Sequence, residues 1–299
     1  MENGRPNSRR MVQLLLEGNT GYIPKGELCI ADAVIRQLIP AEKPDFEVTV
    51  FFLQQMQLDI YTLLPCYPEG REGELPGRKE VAWPDLQRWT AGSPYFVFAV
   101  LDGAFEWGMR LLGLEEFFSL LRSPAALADL TAQVEKFNIY QIELLAAEGI
   151  NGIILADDIA HRQGLFARPE LFRQYFIPSL ARQVEAVRRF DLPVFYHSDG
   201  NWMAVLADII GAGFNGLQCL EEEAGMQVDL LRRQAGSGVC LWGHLDMQDL
   251  EAAGDPHSLA ELQREIKAYA QSGPFILGTT SGLFAGMKLE NLQKLYRSL

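Results

Sequence analysis

Histidine and carboxylate residues recur in this chain at one kind of place, directly after a short apolar run. Leu192–Tyr196 leads into His197-Ser198-Asp199-Gly200, Gly216–Leu220 into Glu221-Glu222-Glu223, and Gly238–Trp242 into His244-Leu245-Asp246. Upstream, Gly152–Ala156 leads into Asp157-Asp158. Imidazoles and carboxylates move protons near neutral pH and ligate divalent metals. Four apolar runs that each end in such groups predict a single rim where acid–base or metal chemistry is done.

What positions them is read from the runs themselves. A short apolar run flanked by helical periodicity is a strand covered on both faces, as in a parallel sheet. The pattern predicts Glu27–Ile30, Leu58–Leu64, Tyr95–Leu101, Gly152–Ala156, the three later runs above, and Pro274–Gly278 as strands. Helical patterns at Pro124–Glu148, Pro169–Phe190, Met203–Ala212, Val228–Gln234 and Ser258–Gln271 separate the later ones. Pro124 and Pro169 suit first helical turns, and Glu148-Gly149 and Ala212-Gly213 suit helix exits. The expectation is an α/β fold, a (β/α)8 TIM barrel filling residues 1–299 as one domain, with function at the carboxyl ends of its strands. Asn7–Gly18 reads as a helix ahead of the barrel. Tyr67–Ser93, broken by Pro68, Gly70, Gly73, Pro76, Gly77 and Pro84, reads as a long loop over the active rim.

Composition narrows the function classes. The chain has 299 residues, 48% hydrophobic and 22% charged, with a formal net charge of −13. That charge argues against nucleic acid or an anionic membrane as the main partner. No apolar stretch reaches the roughly 18 residues a membrane span needs. Met1-Glu2-Asn3-Gly4-Arg5 lacks the apolar core of a signal peptide, so a cytoplasmic location is expected. Cys29, Cys66, Cys219 and Cys240 form no CxxC or CxH pair and read as small buried hydrophobes. His161 and His257 read as surface residues, and Glu222 and Glu223 as a solvated face. Trp107, Phe105 and Phe284 are candidates to line an aromatic substrate pocket.

The polar segments also resemble a known family. Tyr196-His197-Ser198-Asp199-Gly200-Asn201 resembles the HSxGN segment of the uroporphyrinogen decarboxylase superfamily. Gly211–Gln218 and Gly243-His244-Leu245-Asp246 are similar to segments of it too. So are Asp102-Gly103-Ala104-Phe105 with Gly113-Leu114-Glu115, and Leu289-Glu290-Asn291-Leu292. The resemblance covers residues 95–299 and implies a TIM barrel. Two activities come with it: porphyrinogen decarboxylation, and methyl transfer in concert with corrinoid proteins.

Where the decarboxylases carry an arginine-bearing RQAGRY-like segment, this chain has Pro6-Asn7-Ser8-Arg9-Arg10-Met11. An eight-carboxylate substrate fits poorly in an acidic protein without those arginines. The thiol-methylating branch uses HxC and a late cysteine to hold zinc; here Asp199 replaces the first cysteine and Thr280-Ser281 stands near the second. By resemblance the remaining set is His197, Glu221 and His244 as zinc ligands, with Asp157, Asp158 and Asp199 as catalytic or substrate-facing groups. Such a set suits a catalytic zinc with an open position. The implied activity is a methyltransferase that opens corrinoid-dependent O-demethylation. It moves a methyl group from a small methylated donor, such as an aromatic methyl ether, to Co(I). No DxHxxG corrinoid signature is present, so the corrinoid (cobalamin) is expected on a separate protein. The rival expectations are a decarboxylase and a non-catalytic barrel that binds a tetrapyrrole or a corrinoid protein.

Overall fold

The computed structural model describes residues 8–18, 21–40, 42–68 and 73–299. The pentapeptide Met1–Arg5, Asn7 of the expected first helix, and Gly70 of the expected loop lie outside the described residues.

Seven parallel strands form one curled sheet: β1 Ile60–Leu63, β2 Phe96–Asp102, β3 Gly152–Ala156, β6 Val194–His197, β7 Gly216–Gln218, β8 Cys240–Leu245 and β9 Phe275–Thr279. They are hydrogen-bonded in that order. The remaining two, β4 Ala160–His161 and β5 Gly164–Leu165, form a small antiparallel hairpin between β3 and the next helix, which the sequence pattern did not reveal. Helices fill the crossovers, among them Pro124–Ala147, Ile177–Arg188 and Pro256–Ser272.

The pleat sorts side chains into two cores. Phe96, Phe98 and Val100 of β2, Ile154, Phe195, Cys240, Trp242 and Ile276 point inward, joined by Met11 and Leu14 of the helix Ser8–Glu17. Their neighbours Val97, Ala99, Leu101, Ile153, Leu155, Leu241 and Leu277 face the helical layer. This two-sided burial is why the strands read as unbroken apolar runs.

The expected first strand, Glu27–Ile30, is instead an extended segment with isolated parallel bridges, Lys25 to Leu277 and Ile30 to Leu283. It lies against both edge strands. Gly26 N donates to Leu277 O at 3.0 Å, Leu277 N to Pro24 O at 2.9 Å, and Asp59 N to Lys25 O at 2.8 Å. Proline and glycine weaken a ladder here. Glycine is nevertheless required: a Cβ on Gly26 would stand 2.7 Å from Ile60 Cβ, and one on Gly278 would stand 2.1 Å from Gly26 O.

The segment Tyr67–Ser93 is not wholly irregular. It contains a bridge from Ala82 back to Cys66 and a helix, Leu86–Gly92, whose Trp89 stacks on Tyr61 at 3.7 Å between ring centroids.

Candidate active site and metal centre

His197 ends β6 and is 5% exposed. In register it stands between Ala156 of β3 and Gln218 of β7. That register sets its chemistry. Gln218 Nε2 donates to the Thr280 carbonyl at 2.8 Å, which turns the amide so that Gln218 Oε1 faces His197 Nδ1, with which it is in hydrogen-bond contact. A carbonyl oxygen only accepts, so Nδ1 carries a proton, which in the neutral imidazole leaves the lone pair on Nε2. That Nε2 faces two carboxylates, Asp158 Oδ1 at 3.5 Å and Asp199 Oδ1 at 3.9 Å. A lone pair aimed at two acceptors calls for a cation between them, a proton or a metal.

Asp199 is gathered by its neighbours. Its Oδ1 accepts from Cys219 Sγ at 3.0 Å and from Ser281 Oγ at 3.2 Å. Its backbone N–H donates to Asp158 Oδ1 at 2.8 Å. Cys219 follows β7 in the left-handed region, φ 69°, where a non-glycine residue is strained. Its thiol is held well above its ordinary pKa by burial and by the negative charge of Asp199. Glu221 Oε2 accepts from Gly200 N at 3.2 Å, and its Oε1 is 3.8 Å from Cys219 Sγ. Burial, then Asp199, raises its carboxyl. Among the described residues one group of His, Cys, Asp or Glu brings its donor atoms within 4.8 Å of one another: His197, Asp199 and Cys219. One nitrogen, one oxygen and one sulfur is a donor set suited to zinc, and it leaves a position open.

Beside His197 lies a cavity of about 180 Å³. Leu28, Leu64, Val100 and Ala156 give it apolar walls, and Asp102, Glu106 and Asp158 give it acidic ones. Arg110 Nη2 pairs with Asp102 at 2.9 Å and approaches Glu106 at 3.8 Å. Burial raises both carboxyls. A larger cavity of about 590 Å³ opens at the other end, among residues that precede the strands, such as Asn151, Pro193 and Asn215. It holds none of these groups.

Two of the expected site residues sit elsewhere. His244 is 3% exposed, and its ring packs edge-on to Tyr269 at 5.1 Å and tilted to Phe275 at 6.3 Å, between sheet and helices. Among the described residues its Nε2 has no hydrogen-bond partner, and burial lowers its pKa. Alternation along Cys240 and Trp242 would turn this ring inward, but it lies with Tyr269 and Phe275 in the helical layer, with Gly278 beside it in register. Asp157 is fully buried, and its Oδ1 accepts from Glu106 N at 2.9 Å. It thereby caps the helix that begins at Ala104, whose own N-cap position, Gly103, has no side chain. A Cβ on Gly103 would stand 2.2 Å from Asp157 Cγ. Burial holds this carboxyl far above its usual range.

Residues 97–299 match the family model described as uroporphyrinogen decarboxylase. The chain belongs to the uroporphyrinogen decarboxylase family. In structure this family member is similar to a methyltransferase from Methanosarcina mazei, at 16% sequence identity and a TM-score of 0.75, covering 97% of each chain. A D-psicose 3-epimerase solved with D-fructose is more remote, at 9% identity and a TM-score of 0.48, covering 85% of this chain and 91% of that one. At such identities the likeness is one of fold. No curated protein sequence matches the chain.

Cys219, Gln218, Ser281 and Asp102 are the groups that sequence reasoning passed over. Cys219 was read as a buried hydrophobe, and buried it is, but with its thiol against Asp199. Asp102 follows the apolar run Phe96–Leu101, the same rule that singled out Asp157. Gln218 and Ser281 carry no such mark, because their part follows from strand register. No described helix is long and apolar enough to cross a membrane.

Proposed function

We propose that this family member is a cytoplasmic methyltransferase acting with a corrinoid carried on a separate protein. In this reading the barrel is (β/α)8, with the segment Pro24–Glu27 as its eighth stave. His197, Asp199 and Cys219 hold a zinc ion, and Glu221 stands at its edge. The observation that carries the reading is the His197 imidazole, whose Nε2 lone pair faces Asp158 and Asp199 while Gln218 fixes its tautomer. A carbonyl behind a metal-binding imidazole orients the ring and raises its basicity.

When bound, zinc supplies Lewis acidity toward the atom that the methyl group leaves, and the partner's corrinoid supplies the nucleophile that accepts it. The chain's own residues do the rest. The apolar walls of the cavity exclude water from a small methylated donor such as a methyl ether. Asp158, at the cavity and 3.5 Å from His197, holds or hands over the proton that a departing oxygen needs. Asp199 and Cys219 offset the ion's charge. The decarboxylase reading is disfavoured by the same cavity, since a polycarboxylate would meet Asp102, Glu106 and Asp158 there.

The reading is tested by elemental analysis of the purified protein, followed by spectra of Co(I) cobalamin with a panel of methyl donors. About one zinc per chain is expected, together with loss of the Co(I) spectrum that depends on donor and protein. Decarboxylation of a porphyrinogen with no methyl transfer to cobalamin overturns it.

A further inference from the structure

Glu27 is 1% exposed, and the chemistry proposed above makes no use of it. Its carboxylate sits where the first extended segment, β9 and the helix Leu289–Arg297 meet. Oε1 accepts from the Tyr296 hydroxyl. Oε2 accepts from the Thr279 hydroxyl and from Thr279 N at 3.1 Å. The Thr279 hydroxyl oxygen itself accepts from Gly282 N at 3.1 Å. Glu27 and Thr279 together therefore bracket the turn 279–282.

That turn carries contacts through which the end of β9 reaches the site, Ser281 Oγ also lying 3.9 Å from Cys219 Sγ. The Thr280 carbonyl orients the Gln218 amide at 2.8 Å, and with it the His197 tautomer. Ser281 Oγ donates to Asp199 at 3.2 Å. The same extended segment grips the turn a second time: Leu283 N donates to Cys29 O at 2.8 Å, and Cys29 Sγ to Ser281 O at 3.4 Å. A buried carboxylate is a poor choice for gluing a helix to a barrel, because apolar packing does that without the desolvation. Leu292 and Leu295 already bury the face of that helix.

We infer that Glu27 is a positioning residue for the His197–Asp199 site, acting through Thr279 on the turn that fixes Gln218 and Asp199. The metal half of its test rests on the metal centre proposed above; the imidazole half does not. Burial raises the Glu27 carboxyl to about 7, against the bonds from Thr279 and Tyr296, so its charge changes near neutrality. Asp32, Asp45, Tyr61, Cys66 and Asp85 line the same cavity as Glu27, and the titratable groups in hydrogen-bond or charge contact with it are Tyr296 from the last helix and Cys29 on its own segment. Burial holds Tyr296 well above its ordinary value and Cys29 at about 11, so neither changes charge there.

The experiment uses the full chain with ¹⁵N-labelled histidine, in which His197 is assigned by its absence in His197→Gln among four histidines. The variants are Glu27→Gln, Thr279→Val and Thr279→Ser. In the metal-free wild type His197 is expected in the Nδ1–H form. Glu27→Gln and Thr279→Val should mix its tautomers and weaken Co²⁺ binding by about 10-fold or more, while Thr279→Ser restores both. If Glu27→Gln and Thr279→Val melt at lower temperature yet leave both the nitrogen shifts and Co²⁺ affinity unchanged, Glu27 is structural only and the inference falls. Should the wild type take up no Co²⁺, the metal reading fails by itself, and the nitrogen shifts still decide the role of Glu27.

Discussion

The chain contains the same short message twice. His197-Ser198-Asp199 ends β6 and His244-Leu245-Asp246 ends β8, each after an apolar run. The outcomes differ completely. The first histidine is oriented by Gln218 and faces two carboxylates; the second is wedged against Tyr269 and Phe275. Asp199 is drawn inward by Cys219 and Ser281, whereas Asp246 turns to cap the helix Met247–Ala252 through Gln248 N and Asp249 N. Residue type and spacing are equal in the two places. What differs is the face each ring takes and the neighbour it meets: His197 has Gln218 in register and in hydrogen-bond contact, whereas His244 has Gly278 in register and turns to the helical layer. A ligand-competent imidazole needs a partner for its other nitrogen, and that partner belongs to the adjacent strand.

The contrast is broken most directly by removing each imidazole. His197→Ala should weaken zinc binding by more than about 100-fold, because it deletes the nitrogen donor outright, a larger loss than that from altering a supporting group. His244→Ala should leave zinc affinity at the wild-type level. Competition with a chromophoric chelator measures both. Cys219→Ser belongs to the same series, with a loss of about 10–100-fold expected and disappearance of the sulfur shell from the zinc X-ray absorption spectrum. A first shell of nitrogen and oxygen alone in the wild type would return the site to the ligand set expected from sequence. Equal losses for the two histidine variants would dissolve the contrast itself.

Asp157 and Asp158 repeat the lesson one strand earlier, at a smaller scale. They are adjacent in sequence, yet Asp157 points to the amide of Glu106 and Asp158 to the amide of Asp199 and the edge of His197. Asp157→Ala should lower stability by about 1–2 kcal/mol, as loss of a helix cap does, and leave turnover per folded molecule intact. Asp158→Ala should do the reverse, lowering turnover by about 100-fold with little change in melting temperature. Paired turnover and melting measurements separate them. Loss of turnover in Asp157→Ala at unchanged stability would bring that residue back into the mechanism.

These pairs also show what a single sequence discloses. The runs Gly152–Ala156 and Gly216–Leu220 announce buried parallel strands, because covering both faces leaves no polar alternation to confuse them. The place of His197, Asp199 and Glu221 at or just beyond strand ends was legible for the same reason, since the carboxyl end of such a strand is where polar groups are presented. The first stave was legible as a place but not as a ladder: Pro24 and Gly26 leave two isolated bridges. Cys219 was not legible, because a lone cysteine in an apolar run is an ordinary core residue until a carboxylate is found 3.0 Å away. Nor was the fate of His244. Alternation along Cys240 and Trp242 assigns its ring to the inward face, whereas it packs with Tyr269 and Phe275 in the helical layer, a departure that periodicity within one strand does not record.

The finest test of the contrast is a substitution that should do almost nothing. Among the described residues His244 Nε2 is buried without a partner, a state that disfavours the polar ring, and burial pushes its pKa below the ordinary 6.5. In the folded protein this imidazole therefore keeps its neutral form to lower pH than in the unfolded chain, where it takes a proton as pH falls through about 6.5. The unfolded state then binds more protons, so folding stability drops as pH falls below that point, by at most about 1.4 kcal/mol per pH unit for this one group. Phenylalanine has nearly the same shape, suits the faces of Tyr269 and Phe275, and brings no nitrogen to satisfy. His244→Phe should accordingly melt at or slightly above the wild-type temperature at pH 7. It should also lose part of the wild-type decline below pH 6.5, as thermal denaturation at falling pH would show. A marked fall in stability at pH 7, or a loss of bound zinc, would mean that the second histidine is held for its nitrogen after all.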